Sequence, residues 1–151
     1  MFPIRGKTKI SSSETRARSP TFERQIHWKD RAMRHYPVFL NLRGRRIVVS
    51  GAGETALAKL RLLVKTEASI HVFGTSAKAD IAALALQEKI ILHERVLQES
   101  DVKGAVLFYA ANDDETEDAR VAAIGQNEGA LVNVVDNLEA SEFITAALVD
   151  R

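Results

Sequence analysis

The sequence predicts an α/β fold, a doubly wound parallel sheet with helices on both faces. Three observations carry this expectation. Short β-branched runs alternate with longer helix-forming stretches from Arg46 onward, at a spacing that suits crossover helices and parallel pairing. The run Ala105-Val106-Leu107-Phe108-Tyr109-Ala110 is apolar throughout, as in a strand covered on both faces. The first such run, Arg46-Ile47-Val48-Val49, leads through Ser50 into Gly51-Ala52-Gly53-Glu54-Thr55-Ala56, a Gly-x-Gly-x-x-Ala turn that opens a helix.

Taken in order, Pro37-Val38-Phe39-Leu40-Asn41-Leu42 is apolar and ends in the turn Arg43-Gly44-Arg45. Residues 46–49 form the first buried strand, and residues 54–65 the first helix, with Ala56, Leu60, Leu63 and Val64 on one face. Ser69-Ile70-His71-Val72-Phe73 is the second strand, followed by an Ala- and Leu-rich helix over 79–87 and a short third strand over 89–93. Residues 105–110 are the fourth strand, and 113–127 a helix whose first turn is crowded with acids, as the helix dipole prefers. Gly129 is its stop signal. Leu131-Val132-Asn133-Val134-Val135 is the fifth strand, and residues 143–149 form a further apolar segment compatible with strand or helix. Ligands in such sheets sit at the carboxyl ends of the strands: here Ser50 to Gly53, Phe73 to Ser76, Ala111 to Asp113, and Asp136.

At 151 residues, 46% hydrophobic and 27% charged, the chain has the composition of one globular domain with a real core. No apolar run approaches the roughly 20 residues of a membrane span. The absence of cysteine excludes disulfides and thiolate chemistry and fits a reducing, cytoplasmic setting. The net charge of +1 hides an asymmetry, since residues 1–36 hold nine Lys/Arg against three acids, while the remainder holds 12 against 17. Residues 1–35 therefore read as a basic tail without regular structure, and residues 36–151 as the folded domain. Such a tail suits a solvated extension, a targeting segment, residues upstream of a natural start at Met33, or a nucleic-acid arm. Nucleic acid is not an expected partner.

The Gly-x-Gly-x-x-Ala turn carries the chemistry. Gly51 permits the tight turn, Gly53 lets a pyrophosphate approach the main chain, and Ala56 lets the helix pack close to its strand. Free N–H groups at the helix start then face the anion. A ligand-free glycine turn is the alternative. NAD sites usually place an acid at the end of the second strand, but here Thr75 and Ser76 occupy that place. Their hydroxyls either bond the ribose or cap the next helix. No Arg beside them favours the extra phosphate of NADP, so NAD is the expected cofactor. Asn112 and Asp113 end the fourth strand, where one is expected to cap the following helix and either lies near the cofactor. Asp136 ends the fifth strand, as a general acid or base aimed into the crevice or as a simple turn residue. The four histidines show no metal-ligand spacing and read as structural, and no metal site is expected. No P-loop, Gly-x-Ser-x-Gly elbow or Tyr-x-x-x-Lys pair is present.

Several motifs in order resemble one family. Tyr36-Pro37-Val38-Phe39-Leu40-Asn41-Leu42-Arg43-Gly44-Arg45 with the glycine turn resembles the opening of the siroheme synthase N-terminal domain, the precorrin-2 dehydrogenases that are often also sirohydrochlorin ferrochelatases. Lys59 and Arg61-Leu62-Leu63 resemble the family's first helix. Ala110-Ala111-Asn112-Asp113-Asp114, Asn133-Val134-Val135-Asp136, Phe143-Ile144 and Asp150-Arg151 resemble later motifs. The resemblance covers residues 36–151 and implies a Rossmann-type domain that oxidises precorrin-2 to sirohydrochlorin with NAD. It places the catalytic acid on Asp136 and the cofactor contacts on Glu54-Thr55 and Thr75-Ser76. Ser50 and Ala52 stand where glycines are common, Asn112 where the family has Thr, and Ala146 where a Pro often sits. The family continues beyond the position of Arg151 into dimerisation and helical parts, so a truncated domain is expected, with homodimerisation left to a longer chain. A non-enzymatic NAD-binding module is the alternative.

Overall fold

The computed structural model describes residues 32–145. The chain divides into two units, Met1–Val38 and Phe39–Arg151. The basic tail expected over residues 1–35 lies outside the described residues except for its last four, and residues 32–38 carry no helix or strand.

The larger unit holds β1 (Arg46–Ser50), α1 (Glu54–Leu63), β2 (Ser69–Phe73), α2 (Ala79–Leu86), β3 (Ile91–His93), β4 (Ala105–Ala110), α3 (Glu115–Asn127) and β5 (Leu131–Val134). All five strands pair in parallel in the order β3-β2-β1-β4-β5. The order reverses direction between β1 and β4, which makes their carboxyl ends the switch point where such sheets bind ligands.

β1 shows why the sheet is buried on both sides. Ile47 and Val49 point into one core with Leu57 and Leu60 of α1 and Ile81 of α2. Val48 points into the other, with Phe108 of β4 and Val121 of α3. Ile47, Val48, Val49 and Phe108 are all 0% exposed, and burying each such side chain contributes about 1.5–3 kcal/mol. The α3 helix lies close to the sheet at Gly125, where a Cβ would meet Val132 Cγ2 at 2.9 Å and a Phe108 ring carbon at 3.0 Å.

The element ends differ from expectation by one to two residues, each for a visible reason. α3 starts at Glu115 because Asp114 caps it, accepting from the Glu117 N–H at 2.9 Å. It stops as expected at Gly129 (φ +81), with Gly129 N–H bonded to Gln126 O and Ala130 N–H to Gly125 O, both at 3.0 Å, the paired bonds of a Schellman ending. β3 begins only at Ile91 because the Lys89 N–H is taken by Leu84 O in the turn that ends α2. β5 ends at Val134 because Val135 and Asp136 form a turn closed by Asn137 N–H to Val134 O at 3.0 Å. Among the described residues, a 3-10 turn over Glu99–Val102, between β3 and β4, is the one element with no counterpart in the expected pattern.

The apolar segment expected over 143–149 is neither strand nor helix through Thr145, and its remainder lies outside the described residues. Residues just before it close the outer edge of β5. Ser141 Oγ accepts from Val134 N–H at 2.9 Å, Glu142 N–H donates to Val132 O at 2.8 Å, and the Glu142 carboxylate accepts from Val132 N–H. An open edge strand is thereby covered.

Candidate functional site

The glycine turn is built by packing as much as by dihedral freedom. Gly51 has φ +122, and a Cβ there would stand 1.9 Å from Ala111 O, so no other residue lets β1 and the end of β4 approach. Gly51 N–H donates to Phe73 O at 2.7 Å, and Ala111 N–H to Ser50 O at 2.8 Å, tying three strand ends together. Ala52, between the two glycines, packs inward. It is buried, and its methyl faces Gly74, where a Cβ would come within 2.8 Å of it. The glycine at 74 makes room for the alanine at 52.

Gly53 is the N-cap of α1, extended at φ −98, with no side-chain cap on the helix. Its first-turn N–H groups carry the positive end of the helix dipole. A Cβ on Gly53 would meet only Asp113 Oδ2, at 3.0 Å. The Asp113 carboxylate leans over this turn and accepts a hydrogen bond from Thr55 Oγ1. The main chain of the turn is bare, and one exposed carboxylate lies across it.

Glu54 is exposed and ion-paired with Lys78. That pairing lowers the Glu54 pKa and raises that of Lys78, in each case chiefly through the shared hydrogen bond. Lys78, absent from the expected site, also donates its N–H to Ala52 O at 3.0 Å. It is the N-cap of α2, with no side-chain cap. Thr75 and Ser76 therefore do not cap α2, which removes one of their two expected roles. They lie exposed at the end of β2.

Asn112 and Asp113 do not cap α3 either, since Asp114 does. Asn112 is committed to packing. Its Nδ2 donates to Asp118 Oδ1 at 2.8 Å and to Ser50 Oγ at 3.1 Å, and its N–H donates to Asp118 Oδ1 at 2.9 Å. Asp118, 8% exposed, thus joins α3 to the ends of β1 and β4. This network, like Lys78, joins residues whose adjacency no short motif encodes.

A cleft of about 620 Å³ brings Thr55, Asp113, Asp118 and Asp136 together along α3. Asp136 also lines a neighbouring cleft of about 290 Å³ with Lys59 and Asn133. Its backbone is left-handed at φ +63, in the turn after β5. Buried Asn133 holds the outgoing chain beside it, donating to Phe143 O at 2.9 Å. Three of the expected site residues, Ser76 (φ +58), Asp113 (φ +60) and Asp136 (φ +63), share this conformation, each just past the end of a strand. Non-glycine residues reach it at a cost and gather at binding sites.

Two histidines come together where the linear spacing showed no constellation. His71 on β2 and His93 on β3 lie with Nδ1 and Nε2 3.2 Å apart. Arg46 Nη1 stands 2.9 Å from His71 Nε2, which must then be an unprotonated acceptor. Burial, and then the Arg46 charge, push the His71 pKa down to about 4. His93 stacks on Phe73 at 4.3 Å. Among the described residues, no group of three His, Cys, Asp or Glu is placed to hold a metal, and no helix is long and apolar enough to cross a membrane.

Comparison with known proteins agrees with this architecture. A family model described as "Putative NAD(P)-binding" matches residues 38–147. The siroheme synthase of Methylococcus capsulatus is 39% identical over 119 residues, covering 79% of this chain and 25% of that protein. That of Ectopseudomonas mendocina is 40% identical over 119 residues, with the same coverage of 79% and 25%. The chain thus spans about a quarter of the length of the curated relatives it matches. Among solved structures, one described as SirC, precorrin-2 dehydrogenase, shares the fold at a TM-score of 0.69 and 22% identity, covering 78% of this chain and 57% of that one. With a glycine turn at the head of a five-stranded parallel sheet and relatives of this kind, the chain belongs to the NAD(P)-binding, siroheme synthase N-terminal domain family.

Proposed function

We propose that this chain is the dinucleotide-binding unit of a precorrin-2 dehydrogenase, oxidising precorrin-2 to sirohydrochlorin with NAD in siroheme biosynthesis. The observation that carries the reading is the meeting of Thr55, Asp113 and Asp136 on one cleft beside an uncapped helix start. The residues fit a dinucleotide. Gly53 carries no side chain to hold a diphosphate off the main chain, Glu54 and Thr55 open the helix that would face it, and the exposed hydroxyls of Thr75 and Ser76 follow β2, the strand end that would meet the adenosine ribose. The bound nicotinamide supplies the hydride acceptor. Asp136 is exposed at the cleft and is the group that would take the proton precorrin-2 loses with the hydride. One hydride and one proton leave the macrocycle, and one double bond forms.

The test is the appearance of reduced nicotinamide from precorrin-2 and NAD, run on the chain with Asp136→Asn beside it. The reading expects turnover by the natural chain and a loss of about 100-fold or more in the variant, with NAD affinity unchanged. Equal turnover removes Asp136 from the chemistry. NAD binding without any turnover leaves a nucleotide-binding module.

A further inference from the structure

We propose that Asp113 is a gate on the dinucleotide loop: its carboxylate stands across the opening at Gly53 that a diphosphate would use, and the cofactor must displace it to bind. This rests on the dinucleotide reading above and adds to it an opposing charge. Gly53 is the position whose missing side chain opens the main chain to a diphosphate. The atom that already fills that opening is Asp113 Oδ2, 3.0 Å from where a Gly53 Cβ would be. The other carboxylate oxygen accepts from Thr55 Oγ1, on the first turn of α1. The helix start has no side-chain cap, so a carboxylate held here faces the positive end of the helix dipole, as a bound anion would.

Two anions do not share that turn. A diphosphate approaching Gly53 meets Asp113 within a few ångströms, and like charges at this separation near a surface repel strongly. Asp113 can yield, because it is exposed and forms no ion pair with a described cation. Its backbone at φ +60 lies in the left-handed region, which Asp, Asn and Gly tolerate best. Substitution by Asn or Gly therefore removes the charge with the backbone demand still met.

The experiment measures the binding of NAD, ADP and adenosine to the natural chain, to Asp113→Asn and to Asp113→Gly by calorimetry. The gate expects both variants to bind NAD and ADP more tightly, by about tenfold, with adenosine, which has no phosphate, unchanged. Unchanged or weaker NAD binding in the two variants overturns the gate and makes Asp113 a bystander or a true cofactor contact. An equal gain for adenosine also overturns it, since the effect would not follow the diphosphate. If neither the natural chain nor the variants bind NAD or ADP, the dinucleotide reading fails and the gate with it.

Discussion

Replacing Gly53 by alanine should separate cofactor binding from folding. Gly53 has φ −98 and ψ −158, an extended backbone that alanine adopts freely. The new methyl would meet one atom, Asp113 Oδ2 at 3.0 Å, the end of an exposed side chain that can turn away. Alanine is a poorer N-cap than glycine, by up to about 1 kcal/mol. It also narrows the unfolded ensemble, which returns about 0.4–1 kcal/mol. The two nearly cancel, so stability should change by less than about 1 kcal/mol. Binding is another matter, because the methyl stands where a diphosphate would approach the N–H groups of α1. A loss of about 100-fold in NAD affinity, about 2.7 kcal/mol, is expected. Gly51→Ala is the contrast. Its methyl would lie 1.9 Å from Ala111 O and 2.4 Å from the carbonyl carbon, at φ +122. Backbone would have to move by more than about 1 Å, at a cost of about 3 kcal/mol or more. Urea unfolding and calorimetric NAD titration on the two variants read both quantities. Gly53→Ala binding NAD as well as the natural chain would refute the placement of the diphosphate. Gly53→Ala losing as much stability as Gly51→Ala would refute the packing argument.

Gly74→Ala should destabilise by about 1–3 kcal/mol through its clash with the Ala52 methyl at 2.8 Å, and Ala52→Gly in the same chain should restore part of that loss, as a double-mutant cycle in urea would show. The His71 pKa of about 4 against an ordinary 6.5 sets a pH window. The unfolded chain takes up the proton first as pH falls, so stability should decline from about pH 6.5 to about 4 and this contribution should level off below. With its partial exposure taken into account, this contribution is about 1–2 kcal/mol. His71→Gln should flatten the profile in that window, measured as urea midpoints over a pH series, and an identical slope in the variant would remove His71 as its source. Both forms keep the acid-side contributions of Asp101 and Glu117, whose pKa values Arg95 and Arg120 lower.

The elements were legible because each is a local pattern. β1 and β4 are continuous apolar runs, α1 repeats its buried face at Ala56, Leu60 and Leu63, and Gly129 stops α3 where a left-handed residue is needed. The glycine turn was legible for the same reason, since Gly51 and Gly53 sit two apart between a strand and a helix. What escaped the sequence depends on lateral neighbours. His71 and His93 are 22 residues apart and meet only because β2 and β3 pair with Phe73 opposite His93. Lys78 reaches Glu54 across 24 residues. Asn112 looked available to a cofactor, but Asp118, six residues on, and Ser50 of β1 claim its amide. The α3 cap expected at Asn112 or Asp113 falls instead on Asp114, for a backbone reason. Asp113 is left-handed at φ +60 and Asp114 is extended at φ −142, and only the extended residue can cap.

The central claim is that a dinucleotide's diphosphate rests on the main chain between β1 and α1. Backbone amide shifts followed by NMR during an NAD titration test it most directly. The largest movements should fall on Gly53, Glu54 and Thr55, with smaller ones at Thr75, Ser76 and Asp136. Saturable binding that moves amides elsewhere and leaves those three still would contradict it.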